Sequence, residues 1–275
     1  NAVLPTPPGY SIGHSGNFYF SHILNCLYDC RYCFLQGMYR SANYVHFVND
    51  ERFEAGIDES RCNDGRSTCF FSGYDCDSLA MEGITGFAEH FIPFFSSRPD
   101  AILELRTKSI NTRVLEHSDP VANIVVAYTM TPDVIAREIE HGAPSFEMRL
   151  KRLQTLSRQG WSVGLRLDPL IPWPGFKGIY TEMVTRILET VDPSKIHSVT
   201  MGPMRFPKAM YERILHLFPR DPLFALQEME LRNKQMTYDP GTEREMIEHI
   251  LSAFRNSLPE EKLFIQNVHP LSASL

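Results

Sequence analysis

Short β-rich runs alternate with helical patterns along most of this 275-residue chain. The runs are rich in valine, isoleucine, leucine and aromatic residues, and apolar positions at helical spacing separate them. The alternation predicts a parallel sheet with right-handed crossovers, and its six units favour a partial (β/α)6 barrel over a flat doubly wound sheet. In either fold, active-site groups belong at the carboxyl ends of strands. The predicted strands are 17–24, 67–73, 101–109, 122–130, 161–171 and 195–204.

The predicted barrel occupies residues 17–220, between two segments of different character. Residues 1–16 are rich in proline and glycine and predict an irregular lead-in. Residues 221–275 break the alternation and predict a small C-terminal extension, with a helix near 241–256 followed by the run KLFIQNV. The clearest helix inside the barrel has Ser145 as a plausible N-cap and Gly160 as a plausible stop. Two more helices are predicted over 180–192 and 207–218.

Composition excludes several classes of protein. The formal charge of −6 argues against a generally basic surface for nucleic acid, although it leaves room for a local basic groove. No apolar run approaches the roughly 20 residues that span a bilayer. Six cysteines are too few for a disulfide scaffold at this length, and they cluster. We therefore expect a reduced, cytoplasmic protein without a membrane partner.

Three of the six cysteines fall within one short stretch, NCLYDCRYCFLQG at 25–37. Cys26, Cys30 and Cys33 form a C-x3-C-x2-C array that directly follows the first predicted strand. Structural zinc prefers four ligands, and His22 or His46 would have to supply the fourth. An iron–sulfur cluster held by only three thiolates leaves one iron open for a substrate or cofactor. Three buried structural cysteines are the remaining alternative.

This array, with an aromatic residue before its last cysteine, resembles the signature of radical S-adenosylmethionine enzymes. The resemblance implies that the three thiolates hold a 4Fe–4S cluster in a partial (β/α)6 barrel. It also implies that the open iron binds S-adenosylmethionine, which yields a 5′-deoxyadenosyl radical after one-electron reduction. A small redox protein such as flavodoxin or ferredoxin would supply the electron.

Longer segments resemble the spore photoproduct lyase family. They are CRYCFLQ, YVHFVN (44–49), FSGYDCDSL (71–79), LRTKS (105–109) and the stretch 144–171. The resemblance implies repair of a UV-induced thymine dimer in DNA, with Cys76 returning a hydrogen atom to the product radical. Free cysteine is often only a small buried apolar residue, but Asp75 and Asp77 on either side favour a functional position. Cys62 and Cys69 lack such a context and are interpreted as structural.

The same resemblance assigns further residues to the site. Ser78, Lys108, Thr129 and Asp168 stand where the family contacts S-adenosylmethionine. Lys108 suits this role physically because an ammonium can pair with the methionyl carboxylate, although it also suits an ordinary strand end. Asp168 would reach the ribose hydroxyls or cap its strand. Tyr32 matches a tyrosine that relays hydrogen between cofactor and thiol, and it could instead only pack over the cluster.

Two departures from the family pattern affect the predicted substrate. Phe34 replaces a second relay tyrosine and has no phenolic hydrogen to transfer. The family enters the lesion with a basic C-terminal β-hairpin on the substrate side, whereas residues 225–241 are shorter here and carry glutamates. Arg232 and Lys234 remain as possible phosphate contacts. The stretch 204–213 offers three further basic residues, Arg205, Lys208 and Arg213.

Three hypotheses follow from these residues. The first is a lyase of the spore photoproduct type acting on DNA with an altered hydrogen relay. The second is a related radical enzyme acting on another nucleic-acid lesion, a nucleotide or a small molecule. The third is a non-catalytic iron–sulfur or zinc-binding module, which would not cleave S-adenosylmethionine.

Overall fold

One curled eight-stranded sheet forms the frame of the molecule. The computed structural model describes residues 2–62, 66–225 and 228–266. The order of the strands in the sheet is their order in the chain, and every neighbouring pair is parallel except the antiparallel first pair. The strands, labelled β1 to β8, are Leu4–Pro5, Gly16–Phe20, Thr68–Ser72, Ala101–Thr107, Ile124–Thr129, Ser162–Leu170, Ile196–Pro203 and Leu263–Ile265.

Helices and small sheets complete the described structure. None of the described helices is long and apolar enough to cross a membrane. The α-helices are Leu35–Met38, Asp50–Ser60, Glu82–Thr85, Phe87–Ser96, Arg113–Glu116, Asp133–Ile139, Phe146–Gln159, Phe176–Thr190, Lys208–Leu217, Pro222–Ala225 and Pro240–Arg255. Two 3₁₀ turns are Pro193–Lys195 and Glu260–Lys262. The small pairings are Ile23–Leu24 with Val45–His46, Asp29–Cys30 with Glu140–His141, and a sheet of Arg205–Pro207, Gln235–Thr237 and Glu230–Arg232.

The six predicted strands are confirmed as β2 to β7, and the sequential order of the sheet confirms the partial barrel. The predicted first strand is shorter than expected, since Ile23–Leu24 pairs with Val45–His46 outside the main sheet. The run KLFIQNV supplies β8, which pairs with β7, so part of the predicted C-terminal extension belongs to the main sheet. The last two residues of that run lie outside the described residues.

Local sequence explains the best-defined helix, Phe146–Gln159. The Ser145 side chain accepts a hydrogen bond from the Met148 backbone N–H at 3.4 Å, as an N-cap does. Gly160 ends the helix at φ 107°, a left-handed conformation that suits glycine. Leu153 and Leu156 are fully buried and direct one face of the helix to the sheet. Both predicted boundaries are therefore confirmed.

Alternate strand residues face opposite sides of the sheet. On the helix side, Phe70 of β3 packs against Phe95 with ring centroids 5.9 Å apart, in a continuous apolar core. The other side, which we call the concave face, carries charge. Glu104 of β4 accepts hydrogen bonds from Arg166 of β6 at 2.6 and 3.0 Å and from Arg106 at 3.0 Å. Glu104 and Arg166 are fully buried.

The lead-in crosses the concave face from one edge of the sheet to the other. Tyr10 meets Phe71 of β3 edge-on at 5.0 Å. The Gln266 side-chain amide, just after β8, donates to the Ser11 carbonyl at 2.8 Å. Gly13 lies so close to Phe264 that an added Cβ would stand 3.2 Å from its ring. The lead-in therefore bridges the open side of the half-barrel.

The helix Lys208–Leu217 docks on the short helix Leu35–Met38, which follows the cysteine array. A Cβ on Gly37 would stand 2.7 Å from the Met210 carbonyl oxygen, so only glycine permits this approach. The Arg213 guanidinium donates to the Gly37 carbonyl at 2.5 Å. Nearby, Arg31 donates to Asp221 at 3.0 Å. These contacts, which we call the clamp, join the C-terminal part of the chain to the cysteine loop.

We expect Gly37→Ala to destabilise the fold, because its methyl group would overlap backbone atoms that cannot move cheaply. The expected loss is roughly 1–3 kcal/mol in the free energy of unfolding, measured by urea titration. Gly178→Ala is the matched control. This glycine is exposed on a helix and an added Cβ meets no described atom within 4 Å, so we expect a gain of up to about 1 kcal/mol. Equal effects of the two substitutions would contradict the close approach at Gly37.

Glu104→Gln should cost about 3–5 kcal/mol of unfolding free energy, because it leaves buried guanidiniums without their carboxylate. Burial alone would raise the pKa of Glu104, but the Arg166 and Arg106 charges outweigh it and lower the pKa from 4.5 to about 2. This contribution to stability is therefore complete above pH 4.5 and is lost as the pH falls from 4.5 towards 2. Glu245→Gln, in the exposed pair with Lys177, should change stability by less than about 1 kcal/mol. An acid-unfolding profile unaffected by Glu104→Gln would refute the role of the buried network.

Candidate active site

The cysteine array lies in the loop that leaves the carboxyl end of β2. Asn25 starts it at φ 83°, a conformation that asparagine tolerates. The Asn25 side chain donates to the Ser41 and Asn43 carbonyls at 2.9 and 3.2 Å. Asn25 therefore ties the start of the loop, just before the first cysteine of the array, to the segment that follows the array.

The donor set of the loop fits an iron–sulfur cluster. Cys26, Cys30 and Cys33 are all free, and the Tyr28 backbone N–H points at the Cys26 sulfur at 3.5 Å. Burial raises the pKa of all three thiols, that of Cys26 to about 12. Without a bound cation the three thiols would stay protonated. The loop thus needs the positive charge of metal to become a set of thiolates.

A single zinc ion fits less well. Within residues 2–62, 66–225 and 228–266, no three His, Cys, Asp or Glu side chains are grouped so that they could hold one metal ion. His22, one of the two predicted fourth ligands, is buried with its ring stacked on Phe87. A cluster with several irons accepts thiolates that stand further apart than the ligands of one ion. The iron–sulfur interpretation of the array stays a prediction, and the three thiols are the kind of donor that such a cluster takes.

Lys108 extends from the end of β4 towards the cysteine loop. Its Nζ lies 5.3 Å from the centroid of the Tyr32 ring. Burial would lower the pKa of Lys108, but the negative charges of Cys30 and Glu140 outweigh it and raise the pKa. The ammonium is therefore present at neutral pH beside the loop, where it can pair with cluster thiolates or with a bound carboxylate.

A buried carboxylate that sequence patterns do not reveal holds the Tyr32 hydroxyl. Glu140 accepts hydrogen bonds from the Tyr32 hydroxyl, from the Thr131 hydroxyl at 2.7 Å and from the Arg149 guanidinium. Arg149 in turn donates to the Thr129 carbonyl at 2.9 Å. The predicted residues Tyr32 and Thr129 thus join one buried network through two residues that belong to no local motif.

Cys76 lies in the turn after β3 and is 9% exposed. Burial and the Asp77 carboxylate raise the pKa of its thiol well above the ordinary value. The flanking aspartates do not mark an exposed position. Asp75 accepts from the Ser21 hydroxyl at 3.0 Å, and buried Asp77 accepts from the Thr107 hydroxyl and the Lys108 N–H, both at 2.6 Å. They tie the turn to β2 and β4, and the neutral thiol stands between them.

Backbone pairing joins this turn to the cysteine array. The Asn25 N–H donates to the Asp75 carbonyl at 3.0 Å. Each of these residues directly precedes a cysteine, Cys26 on one side and Cys76 on the other. The structure therefore brings the predicted hydrogen donor and the predicted cluster ligands together.

Two predicted cofactor contacts form their side-chain hydrogen bonds with strands of the main sheet. Ser78 is 1% exposed, and its hydroxyl is 2.8 Å from the Ser72 hydroxyl. Asp168 of β6 lies on the concave face, where its Oδ2 accepts a hydrogen bond from the Thr200 hydroxyl at 2.6 Å. Its Oδ1 is buried and has no hydrogen-bond partner among the described residues. Asp168 thus keeps an acceptor available on the concave face, whereas Ser78 faces β3.

Tyrosines surround the phenylalanine that departs from the family pattern. Phe34 packs on Tyr74 with ring centroids 5.6 Å apart, and Tyr74 stacks on Tyr19 at 4.2 Å. Burial, and after it the charge of Asp75, raises the pKa of Tyr39, which lies in the same part of the site as Asp75 and Cys76. Phenolic hydroxyls are therefore present around Cys76 although Phe34 has none.

The two predicted basic stretches form one surface. Arg205–Pro207 pairs with the hairpin Glu230–Arg232 and Gln235–Thr237 in one three-stranded sheet. Arg232 pairs with Glu243, and Arg213 belongs to the clamp. Lys234 lies in the hairpin turn at φ 67°, and its carbonyl accepts from the Lys208 N–H at 3.3 Å. Lys208, which begins the next helix, also pairs with Glu212 at 3.7 Å in an exposed ion pair. Two exposed lysines, Lys234 and Lys208, therefore lie together at this end of the hairpin.

Comparison with known families agrees with this geometry. A family model described as spore photoproduct lyase matches residues 15–262. The chain belongs to the spore photoproduct lyase family. Members of this family are radical S-adenosylmethionine lyases, so the predicted family and enzyme class are confirmed. Among curated proteins, none matches this chain.

Solved structures of spore photoproduct lyase share the fold. A double mutant with bound AdoMet and dinucleoside spore photoproduct has a TM-score of 0.78 at 18% identity, over 92% of this chain and 76% of that chain. The lyase complexed with dinucleoside spore photoproduct gives 0.76 at 18% identity, over 90% and 76%. Streptococcus suis SuiB bound to precursor peptide SuiA gives 0.58 at 10% identity, over 91% and 48%. These similarities confirm the partial barrel fold of the radical enzymes.

We expect Cys30→Ser to abolish formation of a stable cluster after anaerobic reconstitution, because two thiolates remain where three are needed. Iron and sulfide per chain and the visible absorbance of the cluster measure this. Cys62→Ser is the matched control, since Cys62 is a half-buried thiol outside the array and should leave the cluster intact. Full iron and sulfide content in Cys30→Ser would contradict the assignment of the array.

Proposed function

We propose that this protein uses S-adenosylmethionine and a 4Fe–4S cluster to reverse the spore photoproduct in DNA, with Cys76 donating a hydrogen atom to the product. The observation that carries the proposal is the hydrogen bond between Asn25 and Asp75, which sets Cys76 beside the first cysteine of the array. The printed names of the similar solved structures, which bind AdoMet and dinucleoside spore photoproduct, support the same reaction.

Cys26, Cys30 and Cys33 would hold the cluster, and the fourth iron would bind the cofactor. When bound and reduced, the cluster and S-adenosylmethionine would supply the radical that removes a hydrogen atom from the lesion. The Lys108 ammonium stands where it can hold a carboxylate near the loop. The free Oδ1 of Asp168 can accept a hydrogen bond from a hydroxyl group on the concave face. Thr129 and Ser78 are the other two predicted contacts with the cofactor.

Cys76 suits hydrogen-atom donation because its thiol is neutral. A thiolate has no hydrogen to give, and burial raises the pKa of this thiol so that it keeps its proton at neutral pH. In the proposed step the S–H bond breaks homolytically, a C–H bond forms on the thymine product and a thiyl radical remains on Cys76. Tyr32 is the predicted relay, with Glu140 holding its hydroxyl: it would pass its hydrogen atom to the thiyl radical and regain one from 5′-deoxyadenosine.

The substrate side is the hairpin that the clamp places next to the cysteine loop. Lys234 at the hairpin tip and Lys208, whose N–H donates to the Lys234 carbonyl, are the proposed contacts with DNA phosphate. The hairpin belongs to residues 221–275, the predicted C-terminal extension on the substrate side. A small redox protein such as flavodoxin or ferredoxin would deliver the electron. The second candidate is a related radical enzyme with another nucleotide or a small molecule as substrate. Three features favour this second candidate. Phe34 lacks a phenolic hydrogen, Arg232 and Arg213 are engaged with Glu243 and the Gly37 carbonyl, and the net charge is −6.

The test is an anaerobic assay of the reconstituted protein with S-adenosylmethionine, dithionite and DNA containing spore photoproduct. We expect both 5′-deoxyadenosine and restored thymine. Cys76→Ala should suppress thymine recovery while the cluster and the formation of 5′-deoxyadenosine remain. Cys62→Ala should leave both products unchanged.

The outcomes separate the candidates. Restored thymine that depends on Cys76 supports repair of the lesion and shows that Phe34 is tolerated. Deoxyadenosine without restored thymine would direct the search to the second candidate. If neither product formed although the protein had its full iron and sulfide content, the enzymatic proposal would be refuted.

A further inference from the structure

His22 is a buried polar side chain that the proposed reaction does not use. It is 1% exposed and follows β2, four residues before the first cysteine of the array. Its ring lies flat on Phe87, with centroids 3.8 Å apart and planes 11° apart. The His46 ring stands at right angles to it at 6.4 Å. These contacts fix the plane of the imidazole and therefore the direction of both ring nitrogens.

One of those nitrogens points at the proposed hydrogen donor. The His22 Nδ1 lies 3.9 Å from the Cys76 Sγ, which is within the range of a long hydrogen bond to sulfur. Burial, with the nearby His46, lowers the pKa of His22 to about 3, so the ring is neutral at physiological pH. In the tautomer that carries the single proton on Nε2, the ring presents an acceptor lone pair at Nδ1 to the thiol.

The order of the two pKa values decides which way this pair works. The pKa of the Cys76 thiol is raised and that of the His22 imidazole is lowered, so the neutral thiol and neutral imidazole are the stable combination. This is the reverse of a nucleophilic Cys–His pair, in which the imidazole removes the thiol proton. The arrangement therefore preserves the S–H bond instead of activating the sulfur.

We propose that His22 is a positioning residue for Cys76, whose Nδ1 accepts the S–H hydrogen bond and holds the sulfur in the orientation from which it donates its hydrogen atom. The proposal rests on the proposed function. His22 gains and loses no proton in the reaction. The hydrogen atom and its electron leave Sγ together for the product carbon, and the imidazole stays neutral throughout. A residue that only filled space beside Phe87 would need no nitrogen at this position.

The experiment replaces the nitrogen and keeps the ring. His22→Phe retains an aromatic ring on Phe87 and removes the acceptor. The S–H stretching band of Cys76, isolated by Raman difference against Cys76→Ala, should shift to higher frequency in His22→Phe because its hydrogen bond is lost. The measurement uses the full chain without cofactors. The matched control is His46→Gln, which alters the neighbouring exposed histidine and should leave the band in place.

In the reconstituted protein, His22→Phe should lower restored thymine per deoxyadenosine formed by roughly two- to tenfold, the worth of one hydrogen bond. His22→Gln, whose amide oxygen can accept, should recover part of both the ratio and the band position. If His22→Phe fails to fold, His22→Gln and the unaltered protein provide the test. A Cys76 band at the frequency of a free thiol in the unaltered protein would then overturn the proposal.

An unchanged Cys76 band in folded His22→Phe overturns the proposal. A shifted band supports the hydrogen bond, and a lowered thymine ratio with it supports the positioning role. A shifted band with an unchanged ratio overturns that role. If the unaltered protein restores no thymine, the proposed function fails while the shifted band still establishes the bond between His22 and Cys76, so the two failures are distinguishable.

Discussion

The register of β2 against β3 is the constraint on which the rest of the site depends. Parallel pairing aligns Phe20 with Ser72, so the two loops leave the sheet side by side. The Asn25 N–H and the Asp75 carbonyl then close the gap between them at 3.0 Å. A shift of one residue in this pairing would exchange the two faces of the strand and separate the cysteine loop from the thiol. The chemistry thus follows from ordinary sheet geometry at the carboxyl ends of strands.

Burial gives the site its electrostatic character. The same low-dielectric surroundings keep Cys76 as a thiol, keep His22 uncharged and make three loop cysteines dependent on metal. Charge is admitted only where it is compensated, as at Glu140, which meets the Arg149 guanidinium and two hydroxyl groups. Such surroundings suit homolytic chemistry, because a neutral buried thiol keeps the S–H bond that a homolytic step breaks.

The sequence predicted what is encoded locally. Six strands, the Ser145 cap, the Gly160 stop and the array of three cysteines each lie within one short stretch, and the structure has all of them. Glu140 and Glu104 escaped notice because their partners come from other elements, and Arg166 lies 62 residues from Glu104. Periodicity says which face a residue occupies, but not which distant charge it meets there.

The clamp has a consequence for how the protein matures. Arg31 and Asp221 are 190 positions apart, and Arg213 reaches Gly37 across 176. Contacts of such long sequence separation form late in folding, since a large loop must close first. During synthesis the three loop cysteines leave the ribosome well before the segment that packs over them. They would therefore be open to iron, and also to oxidants, until the clamp residues up to Asp221 have been made, so delivery of the proposed cluster would have a time window set by the order of the sequence.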